Sequence, residues 1–323
     1  MEKKNSLLKK VAKILSILAK ISILALAVHI IIACALGVMY TYDIFLREIS
    51  TRYPFYILVI DFRSGLKSDI LPLFFLIDNE FKIFLFLSLV IIFLATIRFL
   101  LVEENPLELL KAKNTLIGSY SFSHIFMTIF ALETVYSIII IVLGITPHIP
   151  VLPHPVIVMI VAPVEEEIAA RFVWIGIPLI IVDLAKDLAS FSIVGLARSI
   201  KNIPKKIVMG WGETNKISIV LTLISAAVFA QVHVKYGWDI WKFPSAFIAG
   251  IGLGIVFVKY GLLSSILLHF AWNSITYIPL ANTVLGLLYF IAGLIFLVAR
   301  IFKKELAKNL VEKEGKDTNY TQY

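Results

Sequence analysis

Three short segments hold the side chains that could do chemistry. In the first, Glu165, Glu166 and Glu167 are followed by Arg171, all inside an apolar stretch from Pro155 to Val182 that is otherwise uncharged. In the second, Phe229 precedes His233 by four positions, and in the third His269 precedes Asn273 by four. Charges within an apolar span are expensive, roughly 2.5–3.5 kcal/mol or more each, and are functional candidates by default. Glu167 and Arg171, one helical turn apart, share a face and can neutralise each other. Glu166 points about 100° away from Glu167 on a helix, so that arginine is not its direct partner. A carboxylate left in this way can act as a general base toward water. The cluster could instead end a helix at the interface with all three glutamates wetted, but the uncharged runs on both sides argue against that. His269 and Asn273 also share a face, and two donors aimed at one point are what a tetrahedral oxyanion needs. The same pair could equally make an interhelical hydrogen bond. His233, at the end of its apolar run, reads alone as a capping or interfacial residue.

The elements that must position these groups are membrane spans. The 323-residue chain is 59% hydrophobic and only 16% charged, well outside the range of soluble domains. Apolar runs of about 20 residues recur, the length of a membrane-crossing helix. They are continuous, not alternating, so the expected fold class is all-α, a polytopic membrane protein with the active site in the bundle. Eight spans are expected: Ile21–Tyr40, Ile83–Val102, Ser121–Gly144, Pro155–Val182, Ser218–His233, Pro244–Val258, Leu262–Ala281 and Thr283–Val298. Residues 1–20 read as a basic amphipathic interfacial helix, 21–299 as the transmembrane core and 300–323 as a polar cytoplasmic tail. Residues 41–82 form a mixed polar and apolar loop, in which Tyr53–Ile60 and Ile70–Ile77 are too short to span. A second long loop, 183–217, holds a short apolar stretch, Leu188–Leu196.

Lysines and arginines concentrate in the N-terminus, the even loops and the tail, which places both termini in the cytoplasm of a cell-membrane protein. The net charge of +8 therefore fits membrane orientation and anionic lipid, and no nucleic-acid partner is expected. Cys34 is the only cysteine, which excludes an intrachain disulfide and a Cys-based zinc site. His29, Arg98, His124 and Glu133 also fall in or beside spans and read as interhelical or snorkelling groups. Glu133 stands out among them as a partner for the main cluster. His148 and His154 sit in a proline-rich connector with Pro147, Pro150, Pro153 and Pro155. Gly250, Gly252 and Gly254 read as close-packing positions, and Trp238 and Trp241 as interfacial anchors.

Taken in order on separate spans, Glu-Glu-x-x-x-Arg (Glu166, Glu167, Arg171), Phe-x-x-x-His (Phe229, His233) and His-x-x-x-Asn (His269, Asn273) resemble the type II CAAX prenyl endopeptidases and the related bacteriocin-processing proteins. The resemblance covers about Pro155 to Ala281. Glu165 makes the register ambiguous, and Arg171 resolves it, because only Glu166-Glu167 leaves the family's three-residue gap. The resemblance implies an intramembrane endopeptidase in which Glu166 and His233 activate a water, His269 and Asn273 hold the oxyanion, and Glu167 with Arg171 forms a supporting ion pair. Its expected partners are the lipid bilayer and a membrane-anchored protein or peptide, prenylated or not. The motifs leave the oligomeric state open. No cofactor is required, although Glu166, His233 and His269 could also serve as three ligands of zinc or another divalent metal, with a fourth position for water. Two other classes stay open: a non-catalytic scaffold or immunity factor on the same fold, and a proton-coupled transporter. The lack of matched broken helices in two half-repeats counts against transport.

Overall fold

The computed structural model describes residues 2–46, 52–61, 67–104, 121–146, 154–235, 237–278 and 281–301. Long apolar runs cannot leave backbone groups unpaired in lipid, and they fold as helices. These are α1 (Glu2–Leu46), α2 (Asn79–Glu103), α3 (Phe122–Val142), α4 (Ile157–Ala189), α5 (Ile193–Met209), α6 (Lys216–Lys235), α7 (Lys242–Tyr260), α8 (Leu262–Ser274) and α9 (Asn282–Ile301). Seven of them are long and apolar enough to cross a membrane, all but α5 and α8. The fold is an all-α polytopic membrane bundle.

Three differences from the sequence expectations bear on the site. First, the 1–20 segment does not stop before the first span, because α1 runs unbroken to Leu46. Second, the seventh expected span, Leu262–Ala281, is instead a helix of 13 residues that ends at Ser274 and tightens into a single narrow turn, Ile275–Tyr277. At 1.5 Å per residue it is about 20 Å long, short of the roughly 30 Å hydrocarbon core. It survives because it is sheathed in protein: Ser264 through Ala271 are buried without a break. A helix apolar on all sides belongs in the middle of a bundle. Third, the two short apolar stretches of the 41–82 loop pair with each other. β1 (Arg52–Asp61) and β2 (Lys67–Ile77) form an antiparallel hairpin, rich in the aromatic and β-branched residues that favour strands. Its register shifts at Phe55/Tyr56, next to the Tyr56–Pro72 pair, where the proline has no N–H to give. The segments 147–153 and 302–323, which include His148 and nearly all of the expected tail, lie outside the described residues.

The hairpin lies against α4 and α6. Leu58 is buried among Ala169, Ala170, Val228 and Phe229, and its carbonyl accepts a 2.8 Å bond from Trp174 Nε1. α6 and α7 pack closely because Gly250 faces Ala226; a Cβ at Gly250 would stand 2.9 Å from the Ala226 Cα. The tight α7–α8 connection needs Gly261, at φ +87, where a Cβ would sit 2.2 Å from the Val208 carbonyl oxygen. These contacts set the heights of α6, α7 and α8, and so of the residues they carry.

Candidate active site

α4 is not a uniform helix. A straight α segment, Ala162–Glu167, lies between two stretches of wider π-type turn, Ile157–Val161 and Ile168–Gly176. Such widened turns free backbone carbonyls and recur at functional sites. The three adjacent glutamates sit in the straight segment, so their side chains leave the helix in three directions, each about 100° from the last.

Each direction has its own environment. Glu165, fully buried, turns to the hairpin, where Tyr53 Oη donates at 2.6 Å and the Tyr56 backbone N–H at 3.1 Å. Burial, with the Glu165 charge beside it, holds the Tyr53 phenol protonated well above the ordinary tyrosine range, so it acts as a donor. Glu167, also fully buried, pairs with Arg171 (Nε to Oε2, 3.3 Å), accepts from Ser265 Oγ, and lies 2.9 Å from His269 Nδ1. Glu166 is the exception. Its Oε2 is buried and has no hydrogen bond among the described residues; His269 Nε2 lies 3.7 Å from it. The two flanking glutamates are absorbed by structure, and the middle one keeps an oxygen without a partner among the described residues.

His269 therefore stands between two carboxylates, Nδ1 toward Glu167 and Nε2 toward Glu166. A ring held on one nitrogen presents the other in a fixed orientation. Arg171 is fully buried and lies with its guanidinium 4.3 Å from the Phe229 ring centroid. Phe229 is the hub of the site: its ring is also 4.4 Å from His233 and 6.1 Å from His269. His233 Nδ1 bonds back to the Phe229 carbonyl at 2.9 Å. That bond leaves Nε2 as the outward atom.

The height of each group follows from interhelical bonds. Ser225 Oγ donates to the Ala170 carbonyl at 2.9 Å, tying α6 to α4. Four residues along each antiparallel helix from that tie stand Phe229 and Glu166. The single hydroxyl hydrogen of Ser265 is shared between Glu167 and the Leu253 carbonyl, 3.0 Å from Oγ, fixing α8 to α7 one turn below His269. Asn273 Nδ2 donates to the Val158 carbonyl at 2.8 Å, in the first widened turn of α4. One of its two amide hydrogens is thus engaged, and the other is available.

His233, His269 and Asn273 line a common cavity of about 60 Å³ with Glu133, Lys242 and Phe229. A site needs about 10–15 Å³ by this measure to hold one water, so there is room for a few. Glu166 is not in the cavity wall; it meets the cavity through His269. Of the residues singled out by spacing, the structure brings Glu166, Glu167, Arg171, Phe229, His233 and His269 into one cluster, with Asn273 at its edge. Among the described residues, no group of three or more His, Cys, Asp or Glu side chains is arranged to hold a metal ion.

Sequence reasoning missed Ser265, Tyr53 and Tyr56. Ser265 had a signal: it stands four positions before His269 on the same face. The tyrosines had none, because they act from a strand pair more than 100 positions away, as the Tyr53–Glu165 separation of 112 shows. Two other polar groups in the spans have partners of their own. His29 Nε2 meets Ser274 Oγ at 2.9 Å, and Arg98 pairs with Glu103 at 3.0 Å.

In comparisons with known proteins, no curated protein and no solved structure matches the chain. Residues 148–275, which contain all three motif segments, match the family model described as type II CAAX prenyl endopeptidase Rce1-like.

Proposed function

We propose that the chain is a glutamate-dependent intramembrane endopeptidase that hydrolyses a peptide bond of a membrane-anchored protein or peptide. Glu166 takes a proton from a water held against His233. The resulting hydroxide attacks the scissile carbonyl carbon, and His269 and Asn273 donate to the oxyanion that forms. Glu167 and Arg171 do no chemistry themselves. Their pair, with Ser265, fixes His269 between the two carboxylates. The observation that carries this reading is the sorting of the three glutamates: Glu165 and Glu167 have partners, while Glu166 Oε2 is buried with none. A buried carboxylate oxygen without a partner is costly, and a bound water would relieve that cost.

The test is cleavage by purified protein in proteoliposomes, read by mass spectrometry on a library of prenylated and unprenylated peptides, with and without chelator. Wild-type protein should give defined fragments that chelator does not suppress. Glu166→Gln should lose at least about a thousandfold in kcat while keeping its elution profile, as expected when a base that deprotonates water is removed together with its charge. Full cleavage by the Glu166→Gln variant would end the reading, and loss of activity on chelation would redirect it to a metal mechanism.

A further inference from the structure

Amide hydrolysis needs two proton transfers, one from the attacking water and one to the leaving nitrogen, because an unprotonated amide nitrogen is a very poor leaving group. Glu166 serves the first. The motif residues leave the second unassigned, and the cavity holds one more carboxyl group.

Glu133, on α3, lies in the same cavity wall as His233, His269 and Asn273. It is outside the matched segment 148–275. Its Oε1 is buried and has no hydrogen-bond partner among the described residues. The polar groups that face it come from the start of α7, Lys242 and Ser245, and the Lys242 ammonium itself lies 4.7 Å from the Trp238 ring centroid. Glu166 approaches from α4 behind His269, whereas Glu133 approaches from α3 through the cavity wall. The two carboxyl groups therefore approach from different helices, Glu133 in one cavity wall with His269 and Asn273.

Resting on the reading of Glu166 as the base, we propose that Glu133 is the catalytic acid that protonates the leaving amine. The water oxygen bonds to the carbonyl carbon as Glu166 takes the water proton. The carbon–nitrogen bond then breaks as the Glu133 carboxyl gives its proton to the nitrogen. The proton on Glu166 returns to Glu133 through cavity water, so the products are a carboxylic acid and an amine with every proton accounted for. Lys242 and Ser245 stabilise the Glu133 anion between these transfers. An acid at this position explains why a carboxyl group with a free oxygen is kept in a cavity shared with His233 and His269.

The experiment compares two leaving groups. One substrate is the peptide that the wild-type protein cleaves best in the library assay. The other carries the same acyl part joined to p-nitrophenol, whose anion leaves without being protonated. Glu133→Gln should lower kcat on the peptide about 100- to 1,000-fold, with KM within threefold, and leave the aryl-ester rate within threefold. Glu133→Asp should recover part of the peptide activity. Equal losses on both substrates would mean that Glu133 only supports the packing of α3 on α7, and no loss on the peptide would mean that another group protonates the nitrogen. Either outcome overturns the assignment. Glu166→Gln, run in parallel, should abolish both reactions. If it does not, the base assignment has failed, independently of the ratio measured for Glu133.

Discussion

Removing the Tyr53 hydroxyl should cost stability before it costs chemistry. Glu165 has no exposure, and the two bonds described for it both come from β1: the 2.6 Å bond from Tyr53 Oη to Oε2 and the 3.1 Å bond from the Tyr56 N–H to Oε1. Tyr53→Phe keeps the ring, which packs 5.3 Å from Phe81, and takes away only the donor to Oε2. Hydrogen bonds to charged groups contribute about 1.5–3 kcal/mol, and a buried acceptor left bare costs a similar amount. The variant should therefore lose roughly 2 kcal/mol. By the scaling for soluble domains of 150–250 residues, 1 kcal/mol moves Tm by about 2–4 °C, so a fall of about 4–8 °C is expected, followed by the fluorescence of detergent-solubilised protein on heating. A double-mutant cycle with Glu165→Leu isolates the pair, because leucine offers Tyr53 no acceptor. The coupling should be about 1–2 kcal/mol. Catalysis should fall less than tenfold, since the hydroxyl that is removed donates to Glu165 and not to Glu166. Unchanged melting in Tyr53→Phe, or additive single and double mutants, would show that the hairpin does not seat on Glu165, and the sorting of the three carboxylates would lose its first leg.

Further outcomes follow from the same contacts. Arg171→Met leaves Glu167 without its cation and should destabilise the protein by about 3–5 kcal/mol, seen as aggregation on solubilisation; adding Glu167→Gln should recover more than half of the lost melting temperature. Gly293→Ala places a Cβ 2.0 Å from the Met127 carbonyl oxygen, a backbone atom that cannot swing aside, so α9 should part from α3 and the yield of monodisperse protein should collapse. His233→Ala should lower kcat at least tenfold with little change in melting, since it removes one bond to the Phe229 carbonyl and one ring contact with Phe229 at the wall of an existing cavity. A melting loss as large as that of Arg171→Met would recast His233 as structural.

Helix positions were legible from the sequence wherever an apolar run was uninterrupted. Ser218–His233 against Lys216–Lys235, and Pro244–Val258 against Lys242–Tyr260, differ by two residues at each end, because hydrocarbon length dictates both the pattern and the helix. The hairpin was not legible. Tyr53–Ile60 and Ile70–Ile77 are too short to span as helices, and periodicity alone does not tell a buried strand from a short buried helix. What makes them strands is tertiary: β1 has a fully buried carboxylate and an indole to satisfy its outward N–H at Tyr56 and carbonyl at Leu58. Without those two side chains an open strand edge against a membrane bundle would be costly.

The site was legible in type and order but not in depth. Treating every helix as a full crossing put Glu166 mid-span, His233 near one end and His269 toward the other, an arrangement in which no single water could meet all three. Two local features bring them closer. α8 has 13 residues, so its fixed point is the Ser265 bond to the Leu253 carbonyl and not a membrane surface, and His269 is carried to the level of Glu167. Side chains on a helix lean toward its N-terminus, and the His233 ring leans back a full turn to the Phe229 carbonyl, the level at which Glu166 stands across from α6. Neither feature is encoded in residue spacing; both are set by polar contacts between helices distant in sequence. It follows that depth in this bundle is governed by Ser225, Ser265 and Gly250 more than by the ends of the apolar runs. Lengthening α8 beyond Ser274 with added leucines should therefore leave the Glu167–His269 contact intact, whereas Ser265→Ala, which removes the Ser265 hydroxyl and adds no atom to a buried position, should shift His269 and lower kcat.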